Sequence, residues 1–354
     1  MASQPSAEPA SPPACPLPPR DAGAPTGFVE WHRGCGGLPL VLSAPHGGRL
    51  APAEIPDRTV GSKVNDLQSL ELARAVRESF PEEARPALVA SLLQRRKLDA
   101  NRPQGEAADG NPLAEAAWAE YHAALEVELR AAVAARGFAL LLDLHGQSHR
   151  AATELGYLLT SADLRLSDGE LEQKVTSLSA LRPMRPEPPA VAELVRGGAS
   201  LGSLLEKAGF ACTPCPGQPC PVTEEALEAA ASQGLPPPRY FPGNYSARRY
   251  GAPATVPAGE NPLAAAEIDA WAGRVAAAQV ETERLVREEP HREAFAAALR
   301  DAALEFLALH TGWRPGPEAC PQPQWPAGLE AGQVSSGEVG AASGDKRTAS
   351  GDKR

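Results

Sequence analysis

Two histidines sit where chemistry is easiest to imagine. His46 lies in Ser43-Ala44-Pro45-His46-Gly47-Gly48, and His145 in Leu142-Asp143-Leu144-His145-Gly146. Each follows an apolar run of strand length and precedes glycine. An imidazole is a ready metal ligand or proton carrier near neutral pH. Alternation along a strand puts Asp143 and His145 on one face, where a carboxylate can fix the tautomer of a ligating ring. Taken singly, His46 reads first as an ordinary surface residue of a loop, and His145 equally well as a strand-end residue near water, so other motifs must decide.

Two basic segments follow. Arg95-Arg96-Lys97-Leu98-Asp99-Ala100-Asn101-Arg102 could form a clamp for a carboxylate, which a guanidinium meets with two parallel hydrogen bonds. It could also be a solvated connection with an internal Asp99–Arg102 pair. Tyr240 to Gly251 mixes turn residues, aromatics and the pair Arg248-Arg249. It reads as the lining of an anion pocket or as an ordered surface loop.

The elements that must position these residues alternate. Leu38–Leu42, Ala87–Leu93 and Phe138–Leu144 read as strands, Phe138–Leu144 most clearly. A helix is expected from Asp66 to about Ser79, capped by Asn65, with Leu67, Leu70, Ala73 and Val76 inward. Asn111-Pro112 opens a second helix running to Arg136, stopped by Gly137. Asn261 to Glu288 reads as an Ala- and Glu-rich amphipathic helix, unless it stops near Val275 and a short strand begins at Ala276. Such alternation implies an α/β fold: a three-layer α/β/α sandwich around a mostly parallel central sheet. In sheets of this kind functional residues gather at the carboxyl ends of strands, which is where both histidines fall.

Composition narrows the classes. An apolar fraction of 43% is enough for a real core, and no stretch approaches the ~20 continuous apolar residues of a membrane span. A net charge of −10 without any basic stripe argues against nucleic acid as a partner. Residues 1–26 and 314–354 read as Pro-, Gly- and Ser-rich disordered tails, leaving one domain at 27–313. The first tail lacks the roughly 7–15-residue apolar run of a secretory leader, and the six cysteines do not resemble a disulfide framework. A cytoplasmic location is expected. Cys212, Cys215 and Cys220 read as structural loop thiols rather than a second metal site, because no histidine completes the set.

Taken together the motifs resemble a known family. Asp99-Ala100-Asn101-Arg102 is similar to the substrate-carboxylate motif of zinc carboxypeptidases, and Asp143-Leu144-His145-Gly146 to their third metal ligand. The wider order resembles the N-formylglutamate amidohydrolases: a Pro-His-Gly loop, an acid opening the next helix, Asp-x-Asn-Arg, Asp-Leu-His-Gly, an aromatic–Gly–Tyr–Arg loop and a late Gln-x-Glu, here Gln279-Val280-Glu281. The resemblance spans about residues 38–307. It implies a zinc carboxypeptidase-like fold and a Zn2+ ion held by His46, Asp66 and His145. It further implies Glu281 as catalytic carboxylate, Arg96 near the developing oxyanion, and Asn101, Arg102 and Arg248 on the carboxylate of a small substrate such as N-formylglutamate. Carboxypeptidases place a Glu three residues after the first His; Arg49 stands there, so the second ligand is Asp66 or, failing that, Glu71. Glu154 is the reserve for Glu281. Two other readings fit the same motifs: a zinc exopeptidase acting on peptide C-termini, and a non-catalytic interaction module retaining the fold.

Overall fold

The structure, a computed structural model, describes residues 25–35, 37–251 and 273–315. The expected tails lie outside the described residues but for their innermost two residues each. So does the expected helix at 261–288 as far as residue 272.

Seven strands form one sheet in the order β1-β3-β2-β4-β7-β5-β6. They are β1 (Val29–His32), β2 (Leu40–Ala44), β3 (Ala87–Ser91), β4 (Ala139–Gly146), β5 (Thr153–Gly156), β6 (Cys212–Thr213) and β7 (Val275–Thr282). Strands β3, β2, β4 and β7 run parallel, while β1 and β5 pair antiparallel to β3 and β7. The helices are α1 (Ser69–Glu78), α2 (Gln104–Ala108), α3 (Pro112–Arg136), α4 (Asp168–Leu171), α5 (Val191–Arg196), α6 (Leu201–Lys207), α7 (Glu224–Ser232), α8 (Tyr245–Gly251), α9 (Arg284–Arg287) and α10 (His291–Thr311). Among the described residues no helix is long and apolar enough to cross a membrane.

The sandwich follows from period-two alternation. Leu40, Leu42, Leu140, Leu142 and Leu144 pack with α1 and α10, whereas Val41, Ala139, Leu141, Val275 and Ala277 pack with α3 and α8. Helix α3 starts where expected: the Asn111 side chain accepts from the amides of Leu113 and Ala114, and Gly137 ends it at φ 81°.

Helix α1 differs from expectation. It begins at Ser69, after Gln68 in the left-handed region at φ 64°, and no side chain caps it. Asn65 instead donates to the Gly48 carbonyl (2.5 Å) and accepts from the Arg95 amide (2.8 Å), so it binds loops together. The later start leaves Leu67 70% exposed, while Leu70, Ala73 and Val76 are buried as expected. Residues 275–282, within the stretch of helical character, form strand β7. Tyr245–Gly251 is a short helix rather than a loop.

Candidate metal centre

The four parallel strands deliver their carboxyl ends to one edge of the sheet. Strand β2 continues to β3 on one side, and β4 continues to β7 on the other, so the order reverses between β2 and β4. That reversal opens a crevice at the strand ends. On the sheet face toward α3 and α8, the apolar alternation turns polar in its last residues: Ser43 on β2, Asp143 and His145 on β4, Gln279 and Glu281 on β7. All five are buried. Register sets Ser43 opposite Asp143, Asp143 opposite Gln279, and His145 opposite Glu281.

His46 reaches the same point from the turn after β2. Its Gly47-Gly48 neighbours are needed for close approach: a Cβ on Gly47 would overlap the Leu70 amide, and one on Gly48 the backbone of Leu92. Replacing Gly48 with Ala therefore displaces backbone and is expected to cost about 1–3 kcal/mol. A chemical-denaturation midpoint matching the wild type would show that the loop accommodates the methyl group.

Three donor atoms converge. His46 Nδ1 lies 3.1 Å from His145 Nδ1 and 3.3 Å from Asp66 Oδ2, and His145 Nδ1 lies 3.0 Å from Asp66 Oδ2. The outward nitrogens are held by carboxylates: His46 Nε2 by Asp99 Oδ1 at 2.6 Å, His145 Nε2 by Asp143 Oδ2 at 3.0 Å. The Ser43 hydroxyl donates to the other Asp143 oxygen at 2.5 Å. With a proton fixed on each Nε2, both Nδ1 atoms present lone pairs toward an anionic oxygen. Such a convergence of acceptors is repulsive unless a cation, or a proton on one of the imidazoles, sits among them.

The donor set fits zinc. Bonds of about 2.0–2.1 Å at tetrahedral angles put ligand atoms about 3.3 Å apart, close to the separations found here. Imidazole nitrogen and carboxylate oxygen are both common zinc ligands, and three protein ligands leave a coordination position for a reactant.

The surroundings are charged and buried. Burial alone would raise the Asp66 carboxyl, but the two imidazoles outweigh it and hold it well below the usual carboxylate range. Asp99 behaves likewise, with burial opposed by His46, Arg95 and Arg102. Burial pushes Glu281 up to about 7; His145 opposes the rise and Asp66 adds to it. The Glu281 carboxylate lies 3.8 Å from His145 Nδ1 and accepts from the Gln279 amide at 2.8 Å.

Other residues singled out in the sequence lie as follows. Arg96 is turned away, donating to Gln94 (2.6 Å) and Asp57 (3.0 Å); its neighbour Arg95 faces the centre instead. Asn101 is buried, its oxygen accepting from the Ser246 amide at 2.8 Å and its nitrogen 3.2 Å from His145 Nε2. Arg102 donates to the Asn101 carbonyl (2.8 Å), and Arg248 is exposed on α8. The internal Asp99–Arg102 pair is replaced by Asp99 with His46 and Arg95, and the segment is not solvated there, since Asp99 is fully buried. Glu71 pairs with Arg49 at 2.6 Å, outside the histidine cluster. Glu154, opposite Glu281 in register, is held by His149 and Arg150 at 2.8 and 2.7 Å. Cys212, Cys215 and Cys220 are free, buried thiols.

Sequence reasoning missed three residues. Asp99 as partner of His46 was legible only through its place in Asp-x-Asn-Arg. Arg95 is four residues before Asp99, but that spacing signals a pair only on a helix, and residues 95–97 form a turn. Arg287 carries no motif; its buried guanidinium donates to the Leu67 carbonyl at 2.8 Å and to those of Thr282 and Gln147.

No family model matches the chain, and no curated protein matches it. Among solved structures, a gene product of Agrobacterium tumefaciens is similar at 13% identity and a TM-score of 0.40, covering 83% of this chain and 97% of that one. An N-formylglutamate amidohydrolase from Ralstonia eutropha is similar at 17% identity and a TM-score of 0.39, covering 80% and 97%. A bacteriophage poly-gamma-glutamate hydrolase is similar at 13% identity and a TM-score of 0.32, covering 79% and 89%. At these identities and TM-scores function rests on the geometry of the site.

Proposed function

We propose that the chain is a zinc-dependent amidohydrolase that cleaves the N-acyl amide of a small carboxylate-bearing substrate such as N-formylglutamate. One observation carries this reading: two buried imidazole nitrogens and a carboxylate oxygen within 3.0–3.3 Å of one another, each imidazole locked from behind by its own aspartate. The group of three is the one cluster of potential metal ligands among the described residues. The order of the sequence motifs supports the same reading.

His46, Asp66 and His145 would hold the ion. A bound zinc supplies Lewis acidity toward the amide carbonyl and makes a water easier to deprotonate near neutral pH. Glu281, facing His145 from the adjacent strand, accepts the proton of the attacking water and returns it to the leaving amine nitrogen. Asp99 and Asp143 keep the Nε2 protons in place so that both Nδ1 lone pairs stay available. Arg102 and Arg248 are the guanidinium groups proposed to meet the substrate carboxylate. Asn101, whose oxygen is already committed to Ser246, orders the segment that carries Arg102.

The test pairs elemental analysis of the purified protein with release of free amine from N-formyl and N-acyl amino acids, their carboxamide analogues, and short peptides. Stoichiometric zinc and chelator-sensitive turnover of N-acyl amino acids, much reduced for the carboxamides, are expected. Cleavage confined to peptide C-termini would make the chain an exopeptidase instead. Absence of zinc-dependent amine release from every compound would end the hydrolase reading.

A further inference from the structure

Two of the carboxylates around the histidines, Asp66 and Asp99, share one guanidinium. Arg95 Nε donates to Asp99 Oδ2 at 3.0 Å, and its Nη1 lies 3.5 Å from Asp66 Oδ1. The opposite oxygens face inward: Asp99 Oδ1 meets His46 Nε2 at 2.6 Å, and Asp66 Oδ2 meets both Nδ1 atoms at 3.3 and 3.0 Å. One guanidinium thus spans the outer oxygen of a ligand and the outer oxygen of the residue that orients another ligand.

Arg95 is anchored on its backbone as well. Its amide donates to Asn65 Oδ1 at 2.8 Å, while Asn65 Nδ2 donates to the Gly48 carbonyl at 2.5 Å. The Arg95 carbonyl accepts from Arg58 Nη1 at 3.0 Å. The turns after β2 and β3 and the approach to α1 are therefore fastened at the point where the guanidinium leaves the chain. The Arg95 side chain is 14% exposed, against 43% for Arg96.

We infer that Arg95 is a positioning residue of the cation site, whose planar fork sets the spacing between Asp66 and the Asp99–His46 pair. The inference rests on the proposed metal centre and deepens it. Two physical pictures give opposite signs. As a bare charge, a guanidinium beside a ligating carboxylate repels a divalent ion, so its removal should tighten metal binding. As a fork that fixes two carboxylates, it holds the ligands in register, and its loss should weaken binding by about 10–100-fold, the range found for residues that orient metal ligands. Geometry favours the second: each carboxylate offers one oxygen outward and one inward, an arrangement a lysine point charge does not enforce.

The experiment measures cobalt and zinc affinity by chelator competition for the wild type, Arg95→Gln and Arg95→Lys, with the visible spectrum of the cobalt form. Thermal melts in excess chelator report folding separately. Arg95→Gln is expected to weaken both metals about 10–100-fold and to alter the cobalt bands. Arg95→Lys, which keeps the buried charge and serves if the Gln variant does not fold, is expected to recover only part of the loss. Undiminished or tighter binding by Arg95→Gln, or full recovery by Arg95→Lys, overturns the positioning role alone. A wild-type chain that binds neither ion overturns the metal centre and this inference with it.

Discussion

His145→Ala should lose its zinc and its turnover together, and lose stability as well. The imidazole is 2% exposed and touches every part of the centre: Asp66 and His46 through Nδ1, Asp143 through Nε2, and Glu281 at 3.8 Å. Alanine removes one of three ligands, so the loss of affinity should exceed the ~10–100-fold typical of a residue one shell further out. It also strips Asp143 of the partner on Oδ2, leaving only the Ser43 hydroxyl on the other oxygen. Breaking a buried ion pair by deleting one member typically costs about 3–5 kcal/mol. Burial alone would lower the His145 pKa, yet Asp143 and Glu281 outweigh it and raise it well above the usual imidazole value. In metal-free protein that stabilisation is present below the unfolded imidazole pKa and fades as pH rises through the raised one. The variant's melting temperature in chelator should therefore fall furthest below wild type at mildly acid pH. Stoichiometric zinc in the purified His145→Ala protein would remove His145 from the ligand set.

The parts of this centre that could be read from the chain are those fixed by local chemistry. Phe138–Leu144 is apolar on both faces until Asp143, so a buried strand with a polar end was legible, and with it the shared face of Asp143 and His145. Asn111-Pro112 and Gly137 bracket α3 because cap and stop act within a turn of themselves. For β7 the sequence leaves helix and strand both open, because the alanines of Val275-Ala276-Ala277-Ala278 favour helix on intrinsic propensity. Its small residues serve packing instead. Gly251 of α8 and Ser177 press on Ala277, where the Ser177 hydroxyl donates to the Ala277 carbonyl at 2.6 Å, and β4 and β5 claim both edges. Neither constraint exists until distant segments meet. The choice between Arg95 and Arg96 was equally hidden: in an aperiodic turn, adjacent side chains have no pattern to show which points inward. The Arg95 backbone is fixed by Asn65, thirty positions earlier, and by Arg58, neither of them a neighbour in sequence.

Glu281→Gln should keep the metal and lose the reaction. Glutamine preserves the volume at a 4%-exposed position and can still hydrogen-bond Gln279, so the three ligand atoms should keep their places. What disappears is the ability to accept a proton, a contribution of about 10²–10⁴-fold in kcat. The folded protein itself gives a second readout. Burial, with the Asp66 charge adding to it against the pull of His145, lifts the carboxyl from 4.5 to about 7. A carboxyl raised on folding binds its proton more tightly in the native state, so it favours folding at low pH. Its contribution to stability falls as pH rises from about 4.5 to about 7 and is constant beyond. Metal-free Glu281→Gln, lacking that titration, should lose less stability than wild type across this window. Full turnover with zinc retained would place the proton transfer on another group. Equal pH dependence of the two metal-free melts would mean that burial does not raise this carboxyl.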